Sequence, residues 1–243
     1  MNNDIENNSK ELKNKKERYK IINKKGIGEF LKDIKYPIYF LDFEAISEKK
    51  DWMLKHNLPL DQQISSFSIL KINTKRDINE NKIKHFNFVG KKEDYKLMAK
   101  KLSDFYKNKP GTVVVWDRIL ENNALIKLMK NATKDDEVVI SEMLKSIIDL
   151  QRLFIDKTFI SVNKVSLDFV SKAFSIYEDG GIKDGRKAHY ILADAEINKE
   201  KYTSKKLNNT SKRIEKYNNS DVINIKRVLF EILKIINKKE KAN

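Results

Sequence analysis

The sequence predicts an α/β fold in which helices flank a mixed β-sheet, and three observations predict it. Residues 36–46 form an almost continuous run of apolar, aromatic and β-branched residues, which favours a buried strand over a helix. The segments 64–72 and 83–89 also have strand character, so the three strands can form an antiparallel meander. Residues 112–116 are typical of a short strand buried in a parallel sheet, and helical patterns alternate with strands from there onward.

Helical periodicity places the remaining elements between and after these strands. The longest stripe of large apolar residues at helical spacing runs over residues 211–236, near the C-terminus. Shorter helices are expected at 27–34, 92–106, 119–129, 138–147, 167–174 and 184–193. The segments 47–61 and 199–213 are polar and are expected to be surface loops, the second of them mobile.

The chain is expected to contain one structured domain. Its 243 residues are enough for a single hydrophobic core, which we place in residues 27–237. Residues 1–26 are rich in Asn, Lys and Glu and predict a flexible basic tail, and residues 238–243 predict a disordered C-terminus. The sequence leaves open whether this chain is a shortened form or a fragment of a longer protein.

Composition excludes several kinds of site. The chain has no cysteine, so disulfides, thiolate metal sites and cysteine nucleophiles are ruled out. Its three histidines are far apart in sequence, which argues against a histidine-rich metal site. The N-terminus lacks the apolar core of a signal peptide, and no apolar run approaches membrane-spanning length. We therefore expect a cytoplasmic protein without a membrane partner.

The formal net charge of +15 indicates attraction to a phosphate backbone, which does not require sequence recognition. An alternative explanation is compositional, because Lys, Asn and Ile dominate the chain as expected from an AT-rich genome. The charge therefore supports a nucleic-acid partner without establishing one.

Two acids interrupt the first predicted strand near its end. Asp42 and Glu44 are two residues apart, so both side chains point to the same face while Phe43 points to the opposite, core face. Adjacent buried carboxylates repel each other and lose hydration, so they need a shared partner, and a divalent cation is the simplest one. Taken alone, the pair is explained better by a strand end that has reached solvent.

Two further acids make the first pair more informative. Glu121 follows the buried strand on the first turn of a helix, where a carboxylate is also common simply because the helix dipole favours it. Tyr217 and Asp221 have the i, i+4 spacing that puts them on one helix face, and Asp221 interrupts an apolar stripe. A stripe that turns to solvent near its start is the alternative explanation for Asp221.

In their order and context these residues resemble the motifs of the DnaQ-like exonucleases, tyrosine subclass, in the ribonuclease H-like superfamily. The Asp-x-Glu motif of that family is similar to Asp42 and Glu44, and its Tyr-x-x-x-Asp motif to Tyr217 and Asp221. Its middle motif is similar to the segment 116–121, and its Leu-Asp helix to the segment 165–174. The flanking sequence resembles a poorly characterised bacterial family within that superfamily, and the resemblance covers about 27–233.

The resemblance implies a ribonuclease H-like fold and a two-metal 3′→5′ exonuclease that releases nucleoside 5′-monophosphates from 3′ ends of single-stranded DNA or RNA. It implies that two Mg²⁺ or Mn²⁺ ions are bound by four acids, with a tyrosine orienting the attacking water. These residues are Asp42, Glu44, Glu121, Asp221 and Tyr217. Most of the superfamily has Asp where this chain has Glu121, so Asp117 stays open as the alternative ligand.

Candidate phosphate contacts lie in the basic segments near the C-terminal helix. They are Lys183, Arg186, Lys187, Lys205, Lys206 and Arg213. A solvated charged surface explains any one of them equally well. Two other function classes stay open: a nucleic-acid-binding module with weak turnover, and a structural domain with hydrated acids. The sequence indicates neither the oligomeric state nor a preference between DNA and RNA.

Overall fold

A five-stranded mixed sheet forms the centre of the computed structural model, which describes residues 19–46, 55, 63–79, 81–89, 94–183 and 185–237. The strands are β1 Tyr19–Ile21, β2 Ile38–Ile46, β3 Gln63–Ile72, β4 Ile83–Asn87, β5 Thr112–Val115, β6 Ile147–Asp149 and β7 Ile160–Val162. The helices are α1 Lys24–Leu31, α2 Tyr95–Tyr106, α3 Arg118–Asn131, α4 Lys134–Lys145, α5 Leu167–Ala173, α6 Gly185–Ile197 and α7 Ser204–Asn237. Short 3₁₀ helices occupy Lys75–Asn79, Leu150–Leu153, Ile155–Lys157 and Lys199–Lys201.

The central sheet has the strand order β4-β3-β2-β5-β6. Strands β2, β3 and β4 pair antiparallel and form the predicted meander, whereas β5 and β6 continue the sheet in parallel with β2. Seven helices of the described residues flank the sheet. The predicted fold class is confirmed: this is a mixed α/β fold consistent with the ribonuclease H-like fold.

The alternating side chains of β2 divide the interior into two cores. Tyr39, Leu41 and Phe43 pack with α2, α3 and α4 on one face of the sheet, so the predicted core position of Phe43 is confirmed. On the other face, Phe40 packs against apolar residues of α7. Asp42 lies on that same α7 face because its side chain is two positions further along the strand. The strand period thus directs both acids of β2 toward the C-terminal helix.

Helix α7 is longer than the sequence analysis predicted. The loop expected at 199–213 is wrong, because residues 199–201 form a 3₁₀ helix and α7 begins at Ser204. No Gly or Pro interrupts the segment, and Lys is a good helix former. Thr210 and Ile214 are both buried, so the buried face of the helix begins one residue before the predicted start. The residues of the site on α7 therefore belong to one continuous helix, Ser204–Asn237.

The predicted N-terminal tail is wrong for residues 19–26. Tyr19–Ile21 pairs antiparallel with β7, and the Asn23 side chain caps α1 by accepting from the amide of Gly26 at 2.7 Å. The Tyr19 ring contacts Phe174 with centroids 4.4 Å apart, which supplies an apolar anchor for this strand. Four parts of the predictions lie outside the described residues. They are the rest of the predicted tail, the C-terminal segment 238–243, nearly all of the predicted 47–61 loop, and Asp184.

Most other element boundaries differ from the predictions by a few residues, and capping explains where three helices begin. Asp94, Asp117 and Thr133 each accept a hydrogen bond from a backbone amide in the first turn of α2, α3 and α4.

Within the described residues, no helix has both the length and the apolar character required to cross a bilayer.

Candidate metal centre

Three carboxylates that are distant in sequence meet between β2 and α7. Asp42 and Glu44 come from β2 and Asp221 comes from α7, and one oxygen of each lies within 4.8 Å of the others. Helix α7 packs against both β2 and β3, which brings Asp221 to the face where the β2 acids point. Glu44 and Asp221 are buried and Asp42 is partly buried, so the strand end has not reached solvent. Three carboxylates in this geometry could bind a metal ion.

Glu121 lines the same cavity from the first turn of α3. Its side chain is only 1% exposed, and its Oε2 atom has no hydrogen-bond partner among the described residues. An ordinary helix N-terminal acid would be hydrated, so the dipole alone does not explain this burial. Glu121 is outside the group whose oxygens lie within 4.8 Å of one another.

Asp117, the alternative ligand, also lines the cavity but has a structural role at the start of α3. Its Oδ1 atom accepts from the Ile119 amide at 3.0 Å and caps the helix. Asp149, at the end of β6, has an equivalent role, because it accepts from the Gln151 amide at 3.0 Å. Glu121 differs from both, because its buried Oε2 atom has no hydrogen-bond partner among the described residues.

Tyr217 lies one helical turn before Asp221, as the i, i+4 spacing predicts, and is 7% exposed. Burial raises the pKa of its phenol, and the negative charges of Asp221, Glu44 and Asp42 raise it further. Tyr217 also forms a hydrogen bond that lowers the pKa of Asp221. The phenol therefore stays protonated at neutral pH and acts as a hydrogen-bond donor rather than a base.

The electrostatics of the cluster favour the neutral acids over the carboxylates. Burial raises the pKa of Asp42 to about 7, opposed by a hydrogen bond from Asn218. The pKa values of Glu44, Glu121 and Asp221 are also raised, first by burial and then by the charge of Asp42. Several buried negative charges in one place need a compensating positive charge near neutral pH.

The cavity at the cluster has a volume of about 550 Å³ and carries basic side chains at its edge. Of the predicted phosphate contacts, Lys183 lines this cavity. The others do not line it and have exposed side chains on α6 and α7: Arg186, Lys187, Lys205, Lys206 and Arg213. Lys164, Lys172, Asp168 and His189 also line the cavity and lie outside the predicted set.

A family model described as Domain of unknown function (DUF2779) matches residues 39–179, which is more than half of the chain. This chain belongs to the DUF2779 family. No curated protein and no solved structure matches it. The matched segment contains Asp42, Glu44 and Glu121, whereas Tyr217 and Asp221 lie after it. Only the structure of this DUF2779 chain therefore shows that Asp221 lies beside Asp42 and Glu44.

The donor set of this DUF2779 chain fits a hard divalent cation. Every candidate ligand is a carboxylate oxygen, the donor that Mg²⁺, Mn²⁺ and Ca²⁺ prefer over softer ligands. Glu121 Oε2 lies in the same cavity, is buried and has no hydrogen-bond partner among the described residues. It is therefore a further oxygen that a metal ion could contact. A metal ion would bind carboxylate oxygens of the cluster and neutralise their charge.

A polar network behind the cluster ties α7 to the sheet of the DUF2779 chain. The Asn87 amide donates to His85 Nε2 at 3.0 Å, and His85 Nδ1 lies 2.8 Å from Ser68 Oγ. The Ser68 hydroxyl donates to Asn219 Oδ1 at 2.7 Å, and Ser211 donates to Asn87 Oδ1 at 2.9 Å. A neutral imidazole with its proton on Nδ1 satisfies all of these bonds.

We expect His85 to make this DUF2779 chain sensitive to acid. Burial lowers the pKa of His85 to about 4, below the value near 6.5 in the unfolded chain. Between these pH values the unfolded chain binds more protons, so stability falls as the pH falls, by about 3 kcal/mol in total. Urea unfolding of the native chain and His85→Gln at pH 7 and pH 4 measures this difference.

The difference between the two proteins isolates His85 from the carboxylates, which titrate in both. Equal pH dependence in the native chain and His85→Gln would contradict the assignment.

Gly180 lets the segment before α6 approach the site helix closely. A Cβ at this position would lie 2.3 Å from Ser220 Oγ and 2.8 Å from Tyr217 Cα, closer than side-chain contacts allow. Gly180→Ala should therefore destabilise the fold by about 1–3 kcal/mol through overpacking. Gly28→Ala is the matched control, since a Cβ at this helical position meets nothing within 4 Å and should stabilise by up to about 1 kcal/mol. Denaturant unfolding measures both, and equal effects would contradict this packing.

Proposed function

We propose that this chain is a metal-dependent 3′→5′ exonuclease that hydrolyses single-stranded nucleic acid to nucleoside 5′-monophosphates through two Mg²⁺ or Mn²⁺ ions. The observation that carries the proposal is the convergence of Asp42, Glu44 and Asp221 within 4.8 Å, in a cavity that also contains Glu121 and Tyr217. The ribonuclease H-like architecture and the order of these residues along the chain support it.

In this proposal each side chain has a distinct role. Asp42 would be a ligand of both ions, Glu44 and Asp221 would hold the ion nearer the attacking water, and Glu121 would hold the other. The ions would lower the pKa of the water and stabilise the charge that develops on the phosphate. The protonated Tyr217 would orient the water by hydrogen bonding, and its raised pKa prevents it from acting as the base.

The charge distribution supports an anionic, extended substrate. The cavity is lined by Lys164, Lys172 and Lys183. These lysines would contact phosphates near the reacting 3′ end. The exposed basic residues of α6 and α7 would contact the strand further from the reaction. Because such contacts release counterions, binding should weaken steeply with salt and show little base preference.

The test uses 5′-labelled single-stranded DNA and RNA oligonucleotides with Mg²⁺, Mn²⁺ or EDTA. The native chain should give a metal-dependent ladder that shortens from the 3′ end, and Asp42→Ala should abolish it. Asp104→Ala is the control, because Asp104 is a surface acid paired with Lys100 and Lys107. Equal activity in Asp42→Ala and the native chain would reject the proposal. Binding without hydrolysis in the native chain would favour a nucleic-acid-binding module with little turnover.

A further inference from the structure

Asn218 makes the closest polar contact to the acid cluster. It lies on α7 between Tyr217 and Asp221 and is fully buried. Its Nδ2 atom donates a short hydrogen bond to Asp42 Oδ2 and a second one to the Asp42 backbone oxygen at 3.2 Å. One amide group therefore holds both the side chain and the backbone of Asp42.

The other end of the Asn218 amide indicates that packing alone does not explain this residue. Its Oδ1 atom is buried and has no hydrogen-bond partner within the described part of the chain. A buried unpaired carbonyl is unfavourable, and an apolar side chain of the same shape would avoid it. The benefit of asparagine at this position must therefore lie in the amide that contacts Asp42.

The next residue fixes the position of this amide relative to the sheet. Asn219 Oδ1 accepts from the Ser68 hydroxyl at 2.7 Å, and Ser68 is the cross-strand neighbour of Asp42 on β3. Two consecutive side chains of α7 thus bond to neighbouring positions on β2 and β3. The Asn218 amide is held where Asp42 requires it, before any cation binds.

We infer that Asn218 is a positioning residue that assigns the two oxygens of Asp42 to different tasks. Oδ2 accepts the hydrogen bond from the amide, which leaves Oδ1 as the Asp42 oxygen that is available, without this contact, to a cation held with Glu44 and Asp221. This inference rests on the metal centre of the proposed function and specifies how its shared ligand is oriented.

The test measures Mn²⁺ affinity directly by titration calorimetry, without any substrate. Asn218→Ala should weaken the Kd by 10–100-fold, the usual effect of removing a group that orients a metal ligand. Asn218→Leu has the same shape and should weaken it similarly, which keeps the test usable if the alanine variant does not fold. Asn224→Ala is the matched control and should change the Kd by less than about threefold, because this buried amide on the same helix bonds to the backbone of Glu178 and not to a carboxylate.

Mn²⁺ binding by Asn218→Leu within about threefold of the native chain would overturn the inference, as would equal weakening by Asn224→Ala. A native chain that binds Mn²⁺ but does not hydrolyse oligonucleotides would overturn the proposed exonuclease and leave this inference standing. A native chain that binds no Mn²⁺ would overturn both.

Discussion

Replacing Asp221 by asparagine is expected to lower the rate of oligonucleotide hydrolysis by about 10³-fold while making the metal-free protein more stable. The loss of rate corresponds to about 4 kcal/mol of transition-state stabilisation, which the third carboxylate of the cluster would supply through the metal. The gain in stability comes from removing one of several buried like charges, and should be about 1–3 kcal/mol. Without a cation, the buried carboxylates repel one another and destabilise the folded chain.

Asp136→Asn is the matched control for this prediction. Asp136 is as buried as Asp221, but its Oδ2 atom accepts from the Thr133 hydroxyl at 2.7 Å and it lies outside the cavity. Its replacement should leave hydrolysis unchanged and should not stabilise the protein. Rates under single-turnover conditions and urea unfolding in EDTA measure the two effects. A fall in both activity and metal-free stability of Asp221→Asn would indicate a structural role for this acid.

The stability of the metal-free protein is expected to fall as the pH rises from 4 to 8. Asp42 has a pKa of about 7 in the folded chain against 3.8 when unfolded, so the folded state binds more protons between these values. Its stabilising contribution is complete below pH 4 and is lost as the pH rises through 7, by about 4 kcal/mol. Glu44, Glu121 and Asp221, whose pKa values are also raised, act in the same direction.

A divalent cation should reverse this dependence, because it binds the carboxylates and competes with protons. At a concentration 100 times its Kd, Mn²⁺ should stabilise the folded chain by about 2.7 kcal/mol, and more strongly at pH 8 than at pH 5. Thermal unfolding with and without Mn²⁺ measures this effect. His85→Gln is a suitable background, since it removes the opposing histidine contribution. A melting temperature that does not respond to Mn²⁺ at pH 8 would contradict a metal site.

Local periodicity was sufficient for most secondary structure but not for the two ends of the domain. The strands of the central meander and the long C-terminal helix follow from period-2 and period-3.6 patterns, which are properties of contiguous residues. The strand Tyr19–Ile21 is too short to give such a pattern, and it exists because it pairs with Ile160–Val162, about 140 residues away. The first turns of α7 are lysine-rich and polar, so composition alone favoured a loop.

The site shows the same division between local and long-range information. Asp42, Glu44, Glu121, Tyr217 and Asp221 were identified because each stands out against its own element: acids in a buried strand, at a helix start or on an apolar stripe. Asn218 gave a comparable signal, since it follows Ile214 by four residues on the buried face of α7. It was missed because asparagine is common throughout this chain and its partner lies 176 residues away.

The sequence by itself determined most of the strands and helices of the central sheet and its flanks, and which residue types are available as oxygen ligands. Only the tertiary structure decided that Asp221 meets Asp42, that Glu121 is buried without a partner and that Asn218 holds one oxygen of the shared acid. The physical reason is that backbone periodicity is set by neighbouring residues, whereas the desolvation and pairing of a charge depend on which distant elements pack against it.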